Sequence, residues 1–154
     1  MPLLVRDEVK VRLLDVYGWK DREASMHAGT ASFRVMDYVI EEQIKHGNSL
    51  IVEGTFNPTY DDARFQAWQE TYGVQYSQVY CYAEAGVIRQ RFTERAALDG
   101  HHVSCIEAAE GLQNLEDYIV QGKRPLNVGG PVVMVDTTDF AMVDEDAVVR
   151  GMGG

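Results

Sequence analysis

The sequence predicts an α/β fold with a largely parallel sheet. Strand-like apolar runs alternate along the chain with stretches whose apolar residues recur at helical spacing. Two runs are especially strand-like: Ser49-Leu50-Ile51-Val52-Glu53 and Pro131-Val132-Val133-Met134-Val135-Asp136. Gly47, Gly73 and the pair Asp99-Gly100 stand where the helical patterns stop, as helix C-termini require.

Taken in order, Leu3 to Val5 is a short strand end, and Asp7 to Tyr17 is helical, with Val9, Leu13 and Val16 at helical spacing. Ser25 to His46 is a longer helix with Phe33, Met36, Ile40 and Ile44 on one face. After the strand at Ser49–Glu53, Asn57-Pro58 supplies an N-cap and a proline at the first helical position, and Asp61 and Asp62 suit the first turn. Phe65, Trp68 and Tyr72 are the expected apolar stripe of that helix. Tyr76 to Tyr82 is the next strand, and Glu84 to Leu98 the next helix. Leu112, Leu115 and Ile119 suggest one more helix, ended by Gly122 and Pro125, before the last strand. Residues 1–140 form the expected domain, and 141–154 an acidic, then glycine-rich tail with little to pack and no final helix.

Composition narrows the function classes. A chain of 154 residues that is 45% hydrophobic and 25% charged is an ordinary globular domain. No apolar run reaches the roughly 18 residues of a membrane span, and the N-terminus is not a signal peptide. Two cysteines, Cys81 and Cys105, make no disulfide framework, which points to a reducing cytoplasm. The net charge of −10 disfavours a long nucleic acid as substrate, whereas a small phosphate-bearing ligand held by local arginines is compatible with it.

Several positions could carry chemistry. Arg91 and Arg95 lie one turn apart, bordering the apolar stripe Ile88, Phe92, Ala96. They suit fork-like contacts to phosphate oxygens, although surface pairing with acids such as Glu94 is the commoner use of such pairs. Glu53 closes an apolar strand before Gly54-Thr55, where ligand sites of open α/β sheets collect. It could hold the water shell of Mg²⁺ or be a solvated loop acid. Asp7 begins a helix just after the first strand. It could accept the proton of an attacking hydroxyl or serve as a first-turn acid. Its neighbour Arg6 is a substrate contact or a surface charge. His101-His102-x-x-Cys105 lacks nearby partners for tetrahedral zinc and is better read as a polar lid loop. The aromatic residues, Trp19 and Trp68 among them, are expected in core and sheet packing.

In this order the segments Leu3-Leu4-Val5-Arg6-Asp7-Glu8, Ser49 to Asn57, Arg91-x-x-x-Arg95 and Val133 to Thr138 resemble a P-loop kinase. The branch resembled contains polynucleotide-kinase-like, zeta-toxin-like and AAA-type small-molecule kinases. The resemblance covers Leu3 to about Phe140. It implies a three-layer αβα, P-loop NTPase-like architecture and an ATP- and Mg-dependent phosphotransferase acting on a small hydroxyl-bearing molecule. Residue by residue, it makes Asp7 the acid that activates the acceptor hydroxyl, with Arg6 beside it, and puts Glu53 near metal and acceptor. Arg91 and Arg95 become lid arginines that stabilise the transferred phosphoryl group, and Thr137 and Thr138 lie by the adenine.

One motif of that family is missing from these residues. A phosphate-binding loop reads G-x-x-x-x-G-K-[ST]. Of four lysines only Lys123 follows a glycine, and there Asp117 takes the first glycine position and Arg124 that of Ser/Thr. The expectation is therefore a fold without its first strand, phosphate-binding loop and first helix, the strand belonging between Ser49–Glu53 and Tyr76–Tyr82. Such a chain should bind ATP poorly and should be unstable alone, repack its sheet, or gain strand pairing from another copy as a homo-oligomer. The competing readings are a non-catalytic kinase scaffold acting in self-association or partner binding, and a metal-dependent hydrolase using His101, His102 and Glu53.

Overall fold

The computed structural model describes residues 1–18, 20–97, 115 and 124–153. It falls into two compact units, one built from Met1–Thr55 and the other from Phe56–Arg95 with residues 124–153. Trp19, the His101-His102-x-x-Cys105 loop and most of the helix expected around Leu112 to Ile119 lie outside the described residues.

The first unit opens with strand β1 (Leu3–Val5), which passes straight into helix α1 (Arg6–Tyr17). No side chain caps α1, but Asp7 and Glu8 occupy its first turn, where the helix dipole favours negative charge. Helix α2 (Arg22–Lys45) starts earlier than its apolar stripe alone suggests. Asp21 caps it, accepting a 2.8 Å hydrogen bond from the Ala24 amide. The buried face of α2 runs through Ser25, Ala28, Ser32, Met36 and Ile40, and α1 contributes Leu14. Small residues thus line the first half of the α2 face, and the Ser32 hydroxyl is satisfied by the Gly29 carbonyl at 2.7 Å.

Strand β2 (Ile51–Glu53) pairs in parallel with β1, Leu3 opposite Ile51 and Val5 opposite Glu53. The Ile51 amide donates to the Pro2 carbonyl at 2.8 Å. Because the pairing is parallel, both strands end at the same edge, so Arg6 and Asp7 leave β1 beside Glu53.

In the second unit, helix α3 (Pro58–Tyr72) follows the capping pattern in the sequence. Asn57 accepts from the Thr59 amide at 3.1 Å, and Asp61 reaches back to the Asn57 amide at 2.6 Å. Phe65 and Trp68 are buried as expected, but Tyr72 is not part of the core; the buried face is completed by Asp61 and Pro58. Phe65 sits at the centre of an aromatic group, its ring 5.3 Å from Phe56, 5.2 Å from Trp68 and 5.6 Å from Tyr76. The Tyr76 hydroxyl donates to the Phe65 carbonyl at 2.9 Å, and burial pushes its pKa up to about 12.

Strands β3 (Gln78–Tyr82) and β4 (Val132–Asp136) are parallel, Gln78 opposite Val132 and Tyr82 opposite Asp136. The Gln78 amide group both donates to and accepts from the backbone of Leu126, each at 2.9 Å. Gly130 has φ +82°, and a Cβ there would lie 1.9 Å from the Tyr76 carbonyl oxygen, so only glycine lets the chain pass so close to Tyr76. Helix α4 (Ala85–Ala97) lies between β3 and β4 in the chain.

Both strand pairs are parallel, which matches the α/β expectation. The described strands nevertheless form two two-stranded sheets and not one continuous sheet. A second difference is at the C-terminus. The tail expected to pack little forms a short 3₁₀ turn (Phe140–Met142) and helix α5 (Glu145–Gly151). Asp144 caps α5 by accepting from the Ala147 amide at 2.8 Å. Gly151 lies so close to Val133 of β4 that a Cβ would meet its Cγ2 at 2.8 Å.

Candidate functional site

Three of the residues singled out by the sequence come together in the first unit. Parallel pairing places Glu53 opposite Val5, and the next two residues after Val5 are Arg6 and Asp7. An Arg6 Nη1–H donates to Asp7 Oδ1 at 2.8 Å. The Glu53 carboxyl is held above its ordinary range, first by partial burial and then by the negative charge of Asp7, with the Arg6 guanidinium partly opposing both. The Asp7 carboxylate and the Arg6 guanidinium are thus near enough to the second strand end to act on the Glu53 carboxyl in opposite senses.

Arg6 is the least exposed of these side chains. Its side chain is 20% exposed, against 76% for Asp7. The guanidinium carbon lies 5.1 Å from the centre of the Phe33 ring on α2, a cation–π distance. Its Nη2 rests where a side chain on Gly29 would begin, 2.8 Å from that position. The buried Nε–H has no hydrogen-bond partner among the described residues. The head group is thus largely withdrawn from solvent, whereas surface arginines keep their heads in water.

The second unit gathers Arg91, Thr137 and Thr138. An Arg91 Nη2–H donates to the Thr138 carbonyl at 3.1 Å, and the guanidinium carbon sits 4.2 Å over the Phe140 ring. The Thr137 hydroxyl and amide both donate to the Tyr82 carbonyl, at 2.8 and 2.7 Å. Thr138 Oγ1 accepts from the Glu84 amide at 3.0 Å. Asp136 accepts from the Thr138 amide at 2.8 Å, and hydrogen bonds from Thr138 hold its carboxyl below the ordinary range. These contacts tie the loop after β4 to the ends of β3 and α4. Arg95 is exposed, one turn beyond Arg91 on α4.

The sequence reading overlooked Phe140 and the α2 residues around Arg6. Phe140 lies in a stretch without periodicity. Gly29 and Phe33 do lie one turn apart on α2, but a single sequence does not tell which helix face meets Arg6. Among the described residues no group of three or more His, Cys, Asp or Glu side chains converges as a metal cage. No described helix is long and apolar enough to cross a membrane.

The folded chain is similar to a crystal structure, at 1.70 Å resolution, of a protein from Chloroflexus aurantiacus J-10-fl described as a "putative kinase". The two share 30% sequence identity with a TM-score of 0.86, over 97% of this chain and 81% of that one. No protein-family model matches the chain, and neither does any curated protein.

Proposed function

The chain belongs to the kinase-like family of the Chloroflexus aurantiacus protein, and on that footing we propose that it is an ATP-dependent phosphotransferase of the P-loop kinase type acting on a small hydroxyl-bearing molecule. The observation that carries this reading is the placement of Asp7, Arg6 and Glu53 at the carboxyl ends of two paired parallel strands. Open α/β folds bind and transform ligands at that edge.

In this reading the Asp7 carboxylate accepts the proton of the acceptor hydroxyl as its oxygen attacks. Arg6 fixes the Asp7 carboxylate through their 2.8 Å hydrogen bond and contacts the acceptor. Glu53 and Asp7 also fit a divalent cation, because a cation would relieve the burial and the mutual repulsion that raise the Glu53 pKa. Mg²⁺ bound there would offset negative charge on the transferred phosphoryl group. Arg91 and Arg95 keep the role that the resemblance implies, stabilising that same charge, and Thr137 and Thr138 that of adenine neighbours. A cytoplasmic setting rests on the scarcity of cysteine.

The nucleotide fits these residues less well. No stretch of the sequence offers the glycine-rich backbone cradle that phosphates need, so this polypeptide should hold Mg-ATP weakly and turn over slowly. A second assignment of the proton acceptor is favoured by one observation: Glu53, whose pKa is raised by burial and by Asp7, is a stronger base than an ordinary carboxylate.

The test is transfer of labelled γ-phosphate from Mg-ATP to a panel of sugars, nucleosides and aromatic alcohols. Slow, acceptor-dependent transfer is expected, falling about 10²-fold or more in Asp7→Asn. A larger loss in Glu53→Gln than in Asp7→Asn would move the base to Glu53. Acceptor-dependent transfer untouched by either change would refute the site. Micromolar affinity for Mg-ATP would refute the weak phosphate cradle.

A further inference from the structure

Gly29 is a residue whose identity its own helix does not explain. It is buried in the interior of α2, and its φ is not positive, so alanine there would adopt the same backbone and favour the helix more. Apart from its chain neighbours and its own helix backbone, a Cβ at Gly29 would meet only Arg6 among the described residues. The Arg6 Nη2 would lie 2.8 Å away and the guanidinium carbon 4.0 Å. The absent side chain thus makes room for one group, the head of Arg6. One turn further along α2, the Phe33 ring lies 5.1 Å from the same guanidinium carbon. Residues four apart share a helix face, so Gly29 and Phe33 together form one seat, a gap beside an aromatic wall.

Arg6 stands where a cation is otherwise disfavoured. It is the first residue of α1, at the end where the helix dipole opposes positive charge. Most of its side chain is withdrawn from water, and its buried Nε–H has no hydrogen-bond partner among the described residues, which adds to the cost. Two contacts offset this: the Phe33 ring and the Asp7 carboxylate, Nη1 to Oδ1 at 2.8 Å. The same guanidinium acts on the Glu53 carboxyl at the end of β2. Asp7, by contrast, is mostly exposed, and the one hydrogen bond its side chain makes among the described residues comes from Arg6. An exposed side chain with a single partner takes its orientation from where that partner stands, because nothing else offsets the entropy of fixing it.

We propose that Gly29 and Phe33 are positioning residues of the acceptor site: they seat the Arg6 guanidinium on α2, and the seated guanidinium holds the Asp7 carboxylate in one orientation at the end of β1. Helix α2 then sets the direction in which the proton acceptor faces, while contributing no group of its own to the reaction. The role of Asp7 as proton acceptor rests on the phosphotransferase reading; the seating of Arg6 and the orientation of Asp7 do not.

The experiment measures the Asp7 side chain by its Hα–Hβ scalar couplings in the full chain, with no nucleotide present. The parent should show the couplings of a single χ1 rotamer. Gly29→Ala displaces the Arg6 head, and with far-UV circular dichroism unchanged it should bring the couplings to the averaged values of a free carboxylate. Phe33→Leu should do the same, and Phe33→Tyr, which keeps the ring, should restore the parent couplings. In the transfer assay kcat should fall about tenfold in Gly29→Ala and in Phe33→Leu, and recover in Phe33→Tyr. Averaged couplings in the parent, or couplings indifferent to both Gly29→Ala and Phe33→Leu, would overturn the inference. So would a lost rotamer at unchanged kcat where Asp7→Asn itself is slow. The kinase reading falls separately, if transfer ignores both Asp7→Asn and Glu53→Gln, and the couplings do not depend on that result.

Discussion

The Glu53 carboxyl stands where its charge is disfavoured. Its folded pKa lies above the ordinary value of 4.5, owing to burial and then to Asp7. A carboxyl with a raised folded pKa contributes stability that is fully present below the unfolded value and is lost as pH rises through the folded value. At pH 7 the charged Glu53 is therefore unfavourable to the fold, and Glu53→Gln should melt at the same temperature as the parent or higher. That advantage should disappear below about pH 4.5, and thermal melts at the two pH values check it. A melting temperature several degrees lower at pH 7 would show that Glu53 supports the fold instead. Stabilisation on removal is the mark of a residue kept for function. The positions of Asp7, Arg6 and Glu53 were legible in the sequence, because each sits where an apolar run ends. The burial of Arg6 against Phe33 was not legible, since it depends on which face of α2 meets α1.

Helix boundaries were legible wherever a short polar side chain could cap them. Asn57-Pro58 marked α3 correctly. The same logic applied to Asp21 and Asp144 would have found the start of α2 and the whole of α5. Helix α5 was overlooked because its glycines suggested a tail. Yet Glu145 and Asp146 in its first turn and Arg150 in its last complement the dipole, and Gly151 is what lets the helix approach Val133. The α2 cap makes a direct test. Asp21→Ala removes the acceptor of the Ala24 amide and should cost about 1 kcal/mol, a fall in melting temperature of roughly 2–4 °C. An unchanged melting temperature would mean that the packing of Met36, Ile40 and Leu14 holds α2 without help from its first turn. Tyr72 fails in the opposite direction. Its spacing fits the stripe, but it falls in the last turn of α3, where the helix runs beyond the core formed by Phe65 and Trp68.

For the whole molecule, the α/β class and the parallel pairing followed from alternation alone, since a parallel pair needs a crossover and helices stand between the strands. The division of the four described strands into two sheets involves long-range pairing, which local patterns do not carry. Charge is the other property of the whole chain. At −10 overall, like charges meet locally too: the negative charge of Asp7 raises the cost of ionising Glu53 at the neighbouring strand end. The central claim is that β1–β2 pairing makes Asp7 and Glu53 one electrostatic site. The most direct measurement is a carboxyl ¹³C NMR titration of Glu53 in the parent chain and in Asp7→Asn. The account predicts a Glu53 pKa above 4.5 in the parent, moving down when Asp7 loses its charge. A Glu53 that titrates at or below that value, or one that ignores the loss of Asp7, would contradict it.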